Sequence, residues 1–280
     1  MSKPQTIQIF LPQGSPSGIR EAELTTRMVK GILFPRNQLQ AASLRKMVKY
    51  TGVYLLIGQT EESAKPKVYV GEGENCLDRI QTHNRNKDFW THCIIITSKT
   101  DEYTKTEAKY LEHYCLQKIK QAGRYSIDNE NDSKKPSISE SREHDLLDNF
   151  DDLNVLCSTL GYSLFDKLEV SKSKGNDLLY IKQVGVIAIG KYTDEGIVIF
   201  KGSEARVKEA PSLQKSIVTL RRQLLLDGII EQEGTKYIFR EDYSAGSPSK
   251  ASSLIIGNHT NGWNNWKNKT GKTLNELKRM

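Results

Sequence analysis

Two β-type runs bounded by glycine constrain this chain more than any other feature. Gly52 to Gly58 is apolar almost throughout, and Lys67 to Val70 follows after the polar stretch Gln59 to Pro66. Two such runs joined by a short polar segment predict a hairpin with a long loop. Gly71 and Gly73 punctuate its end, and Asn75 is placed to cap a helix whose apolar residues are Leu77 and Ile80. Phe89 to Thr97 reads as a third strand. Thr104-Lys105-Thr106-Glu107 spells a capping box, opening a helix that stops near Gly123. The order β-β-α-β-α predicts a compact α/β unit.

Around it the periodicity predicts a strand at Ile7 to Leu11, short strands over 19–25 and 28–34, and a helix from Asn37 to about Lys49. Downstream come an amphipathic helix carrying Leu146, Leu147, Phe150, Leu153 and Leu156, then strands over 178–181, 184–189 and 196–200. Pro211-Ser212 opens a helix, a hairpin turns at Gly234, and Ser247-Pro248-Ser249 starts another helix. Charge divides the same chain. Residues 1–50 hold 8 basic and 2 acidic side chains, 51–128 hold 11 of each, 129–160 hold 3 and 8, and 161–280 hold 19 and 13. An acidic stretch between basic blocks reads as a connector. The expected layout is mixed, α/β to α+β: a basic β-rich segment (1–50), the compact core (51–130), an acidic helical linker (131–160) and a separate α+β domain (161–280). At 280 residues there is room for two domains. No apolar run approaches the ~20 residues of a membrane span, so no membrane partner is expected. Cysteines at 76, 93, 115 and 157 form no CxxC pair, which points to a reduced, cytoplasmic setting.

Three positions in the core carry chemistry. Arg79 and His83 lie four apart, on one face of the helix that begins at the glycine-rich hairpin end. A guanidinium beside an imidazole and tyrosines suits a phosphodiester, because arginine holds phosphate oxygens bidentately; a surface arginine and a satisfied histidine are the plainer alternative. On the following helix Ala108, Leu111, Cys115, Leu116 and Ile119 form an apolar stripe, and Glu112 falls inside it. A carboxylate there is costly unless paired or bound to metal. Glu107 falls outside and has the capping role, which leaves it the reserve. Gly71-Glu72-Gly73-Glu74 is too acidic to cradle phosphates and matches no nucleotide-binding loop, which argues against a small-nucleotide enzyme.

Gly52-Val53-Tyr54, Tyr69-Val70-Gly71, Arg79, His83 and Tyr110-Leu111-Glu112, in that order, resemble the GIY-YIG nuclease superfamily over residues 50–130. The resemblance implies motif tyrosines at Tyr54 and Tyr69, a phosphate-stabilising Arg79, His83 at a position some branches fill with histidine, a metal-ligand Glu112, and a family asparagine at Asn129, with Asn131 close by. It implies a metal-dependent endonuclease that cleaves nucleic acid, DNA in the first instance, by in-line attack of water with one Mg²⁺ (or Mn²⁺) on Glu112. One position departs: Glu72 stands where several members carry a lysine that assists the tyrosine, leaving metal-bound water, His83 or Lys67 to substitute. The alternative is a non-catalytic DNA- or RNA-binding protein on a nuclease scaffold.

Residues 180–280 resemble the uncharacterised domain that trails such nucleases, itself similar to a module beside restriction-system adenine methylases. Gly202-Ser203, Ala205-Arg206, Ala210-Pro211-Ser212-Leu213, Asn261-Gly262-Trp263 and Trp266-Lys267 carry that resemblance. Arg221 and Arg222 on the 212–226 helix, with Trp263, Trp266 and Lys267, are the candidate nucleic-acid contacts. For the two tryptophans, packing the core of a small domain is the plainer reading.

Overall fold

The computed structural model describes residues 4–59, 64–130, 133–167, 177–183, 185–193 and 196–278. The chain forms two units, Met1–Thr60 with Lys65–Asp166, and Glu61–Ala64 with Lys167–Met280. The architecture is mixed α+β, and no helix among the described residues is long and apolar enough to cross a membrane.

The first unit is built on one sheet of seven strands: β1 (Ile7–Phe10), β2 (Arg20–Leu24), β3 (Val29–Pro35), β4 (Gly52–Gly58), β5 (Lys67–Gly73), β6 (Trp90–Ser98) and β7 (Ser126–Ile127). Their spatial order is β1-β2-β3-β6-β4-β5-β7, antiparallel except for the β5–β7 pair. Four helices accompany it: α1 (Leu39–Ala42), α2 (Cys76–Asn86), α3 (Lys105–Ala122) and α4 (Glu140–Thr159). β4 is buried along its whole length because both faces are covered. Val53, Leu55 and Ile57 point to the face packed by α3 and α4, while Tyr54 and Leu56 point to the face packed by α2. The period-2 alternation of a strand thus sorts one apolar run into two cores. The Thr104–Glu107 capping box opens α3, and Gly123 closes it in the left-handed region at φ 67°.

The sequence separates 1–50, 51–130 and 131–160, whereas the structure merges them. β3 pairs with β6 over seven residues, from Val29 opposite Ser98 to Pro35 opposite His92, so the N-terminal strands extend the core sheet. The apolar stripe of α4 (Leu146, Phe150, Leu153, Leu156) packs the same face as α3. Charge runs report solvent-facing side chains, but strand pairing and buried stripes decide what belongs together. Much of the basic excess of 1–50 is spent internally. Lys30 and Arg45 pair with Glu21, Arg27 pairs with Asp152, and Arg36 with Asp88. The helix expected from Asn37 is broken into α1 and 3₁₀ turns at Arg36–Gln38 and Lys46–Lys49, with Asn37 inside the first turn rather than capping. The unit runs on to Asp166, because Leu160, Leu164 and Phe165 are buried in its core.

The second unit has two sheets. One orders β8 (Leu178–Gln183), β9 (Val186–Thr193), β10 (Gly196–Ile199) and β14 (Tyr243–Ser244) as β14-β10-β9-β8. The other orders β11 (Glu204–Arg206), β12 (Ile230–Glu233) and β13 (Lys236–Phe239) as β11-β13-β12. Helices α5 (Lys215–Leu226), α6 (Pro248–Ile256), α7 (Gly262–Asn265) and α8 (Leu274–Lys278) complete it. Pro211-Ser212 lies three residues ahead of α5, whose N-cap is Gln214. Ser247 caps α6 with Pro248 in its first turn, as the sequence predicts.

Candidate active site

The two motif tripeptides are glycine-bounded for reasons of packing. A Cβ on Gly71 would collide with the ring and hydroxyl of Tyr54, and one on Gly52 with the carbonyl oxygen of Ile96. A Cβ on Gly73 would lie 2.9 Å from Cγ of Arg79, so the arginine stem crosses the end of β5 at close range. Tyr54 is fully buried beneath these neighbours. Its hydroxyl lies 3.0 Å from Nε2 of His83 on α2, and the rings of Tyr69 and His83 are 4.6 Å apart. Sequence spacing therefore brings Tyr54, Tyr69, Arg79 and His83 together.

Their acid–base state follows from burial. Burial pushes the Tyr54 phenol far above its ordinary value, with Tyr69 adding and Arg79 opposing. Tyr69 is raised for the same first reason, though the Tyr54 hydroxyl, Arg79 and Lys87 work against it. His83 is pushed down to about 4, by burial first and then by the charges of Lys87 and Arg79. It is the unprotonated base of the cluster at neutral pH.

Glu112 reaches the same place from the other face of the sheet. β7 pairs only with Lys67 and Val68 of β5. Beyond it Asn129 takes over the ladder: Val70 N donates to Oδ1 at 3.0 Å, and Nδ2 donates to Val70 O at 2.7 Å. Around that edge lies a cleft of about 670 Å³, lined by Tyr69 and His83 on one side and by Glu112, Asn129 and Ser133 on the other. Glu112 is half-buried, and burial raises its carboxyl above the ordinary range; the Ser133 hydroxyl, donating to Oε2 at 3.0 Å, works against this. Glu107, the reserve carboxylate, is committed to structure. It accepts from Thr104 N at 2.8 Å and from Nε of Arg142 on α4.

Asn129 lines the cleft while both ends of its amide are bonded to the backbone of Val70, the residue after Tyr69. Asn131 lies outside the described residues. Lys67 is paired with Asp128 at 3.2 Å and lies over the Phe89 ring. Sequence reasoning overlooks Lys87, which is bonded to Asp128 at 2.6 Å with its Nζ 4.6 Å from the Tyr69 ring centre. It is the C-cap of α2, just past the helix end and four residues beyond His83, where helical spacing no longer says which way a side chain points.

The candidate contacts of the second unit scatter. Trp266 is fully buried, with Nε1 donating to Pro248 O at 3.3 Å, and so cannot stack on a base. Arg221 is 1 % exposed; its Nη2 donates to Arg206 O, its guanidinium lies over Tyr237, and its Nε is 3.6 Å from Glu209. Both serve the fold and not a nucleic-acid surface: Trp266 is part of the second unit's apolar core, and Arg221 shares the buried face of α5 with Ile217 and Leu224. Trp263 is half-buried against Tyr192, with ring centres 5.5 Å apart. Arg222 and Lys267 are exposed.

A cation fits the Glu112 site only if it brings most of its own ligands. No group of three or more His, Cys, Asp or Glu side chains able to hold a metal occurs among the described residues. One carboxylate beside a hydroxyl suits Mg²⁺, which keeps several waters.

Comparison with known proteins matches residues 179–278 to a domain of unknown function, DUF4357. That is the second unit. No curated protein and no solved structure matches the chain.

Proposed function

We propose that the first unit is a GIY-YIG-type endonuclease domain that hydrolyses phosphodiester bonds in nucleic acid, DNA in the first instance. One observation carries the reading: an unprotonated histidine, a phenol and a half-buried carboxylate share a cleft wrapped around the β5 edge. Glu112 would hold Mg²⁺ or Mn²⁺, and the bound cation supplies stabilisation of charge on the leaving oxygen. Arg79, exposed at the cluster's rim, neutralises the phosphoryl oxygens. Tyr69, the phenol that lines the cleft, orients the attacking water. In the tautomer this scheme requires, His83 Nε2, 3.0 Å from the buried Tyr54 hydroxyl, carries the proton and Nδ1 keeps the lone pair that takes the water's proton. In this scheme His83 fills the place of the lysine that Glu72 replaces.

The test is cleavage of plasmid and of single-stranded, duplex and branched oligonucleotides with Mg²⁺, Mn²⁺ or EDTA. Parent protein is expected to cleave only with metal, and Glu112→Gln to lose cleavage while binding within a few fold of the parent. A Glu112→Gln protein as active as the parent overturns the assignment.

A further inference from the structure

Along β8, the second unit has a cleft that the nuclease reading does not use. Tyr180 and Lys182 turn outward while Leu179 and Ile181 enter the core. β8 is the last strand of its sheet, and the backbone at Lys267 pairs with it: Tyr180 N donates to Lys267 O at 2.7 Å, and Lys267 N to Tyr180 O at 3.0 Å. Directly opposed residues of an antiparallel pair project to one side, so Lys267 joins Tyr180 and Lys182. The next loop is braced by Asn268, whose Oδ1 accepts from the backbone N of Thr270 and of Lys272 at 3.1 and 2.9 Å. It carries Lys269 to the rim. The resulting cleft of about 610 Å³ is lined by these three lysines, the Tyr180 ring and the amides of Gln183 and Asn265, and no carboxylate is among the described residues that line it. Glu276, whose charge Lys267 feels, is held by Thr273, from which its Oε2 accepts two hydrogen bonds of 2.7 Å.

We propose that this cleft binds single-stranded nucleic acid, with its lysines on phosphates and Tyr180 stacked on an unpaired base. A cationic groove with an aromatic floor is the chemistry of strand binding without sequence preference. Lys182 Nζ, 5.6 Å from the Tyr180 ring centre, keeps that ring beside positive charge. The ring is half-buried in a concavity, which a single unpaired base can enter. In a duplex the base faces are covered by their neighbours, so duplex can offer the cleft only its backbone. The aromatic that the sequence places beside Lys267 is Trp266, but Trp266 is the hidden floor of the domain; the cross-strand partner Tyr180 takes the exposed position. The inference rests on the nuclease reading only for its biological setting, since binding needs no metal.

The experiment is fluorescence anisotropy of the full chain with a labelled oligo-dT in EDTA, over a salt series. Lys182→Glu with Lys267→Glu should weaken binding at least tenfold and make the log–log salt slope shallower by about 1.4, at roughly 0.7 per single-strand phosphate contact. Tyr180→Leu should weaken binding about tenfold with the slope unchanged, as loss of stacking requires. Duplex competitor of equal length should displace the strand poorly. Circular dichroism melts of each variant check that the substitutions at exposed Lys182 and Lys267 and half-buried Tyr180 leave the fold intact. Parent-like binding by the double-lysine variant overturns the site. Parent-like binding by Tyr180→Leu, or full displacement by duplex, overturns the single-strand assignment. Cleft variants that bind normally beside intact metal-dependent cleavage would remove this inference alone. Oligonucleotide binding that depends on the cleft, without cleavage, would remove the nuclease reading alone.

Discussion

At the residue scale, burial favours the neutral form of both His83 and Glu112, which moves their pKa values in opposite directions and makes the two distinguishable by pH. His83 is held near 4 in the fold against an ordinary 6.5, so the unfolded chain binds more protons between those values. Stability should therefore fall as pH drops from 6.5 toward 4, and His83→Gln should flatten that part of a urea-denaturation profile while reducing cleavage at least a hundredfold. Glu112 is raised above 4.5, so the fold binds more protons than the unfolded chain in the range just above that value. Metal-free Glu112→Gln should consequently be as stable as the parent or more so at neutral pH, and inactive. A destabilised Glu112→Gln would mean that the carboxylate serves the fold. Spacing makes Arg79, His83 and Glu112 legible, since the helical period fixes which side chains share a face, and the resemblance to a known motif adds Tyr54 and Tyr69. The burial of Arg221 is equally written in the sequence, at i+4 from Ile217 and i−3 from Leu224, both of them core residues. Ser133 is different. It lies in an irregular segment where no period says which way a hydroxyl points.

At the scale of elements, the β5 edge is where sequence says least and structure most. Asn129 reads as a family residue by position, yet its work is to finish a ladder that β7 leaves after two residues. Asn129→Ala should leave the buried Val70 with an unpaired N–H and C=O, costing about 2–3 kcal/mol in urea denaturation. It should also lower cleavage by loosening Tyr69. A variant that loses activity at parental stability would instead place the amide on the substrate. Glu107→Gln acts on another element and should cost about 1 kcal/mol, through the α3 cap and the Arg142 pair, with turnover unchanged. The capping box, the Gly123 stop and the α4 stripe are local patterns and are read correctly from sequence. The β3–β6 pairing is not, because antiparallel partners 60 or so residues apart share no local code.

At the scale of the whole molecule, the first unit ends at Asp166, and its last residues belong to its core. Phe165 packs edge-on against Phe150 at 5.0 Å, and Asp166 accepts from Asn154 and Ser158. A fragment ending at Asp166 should melt cooperatively, whereas one ending at Leu160 loses Leu164 and Phe165 and should be less stable by about 3 kcal/mol or more. Equal stability of the two would place the boundary where charge alone puts it. The glycine–tyrosine packing has a further consequence, for inheritance. Gly71 and Tyr54 exclude alternatives at each other's positions through contact inside a core, whether or not any bond is ever cut. A descendant released from catalysis would be free to drop Glu112, whose buried charge the fold does not favour, and would still be compelled to retain the glycines and the first tyrosine. The tripeptides are thus an heirloom of the fold, and on the nuclease reading proposed above the mark of an active enzyme is kept at Glu112 and His83.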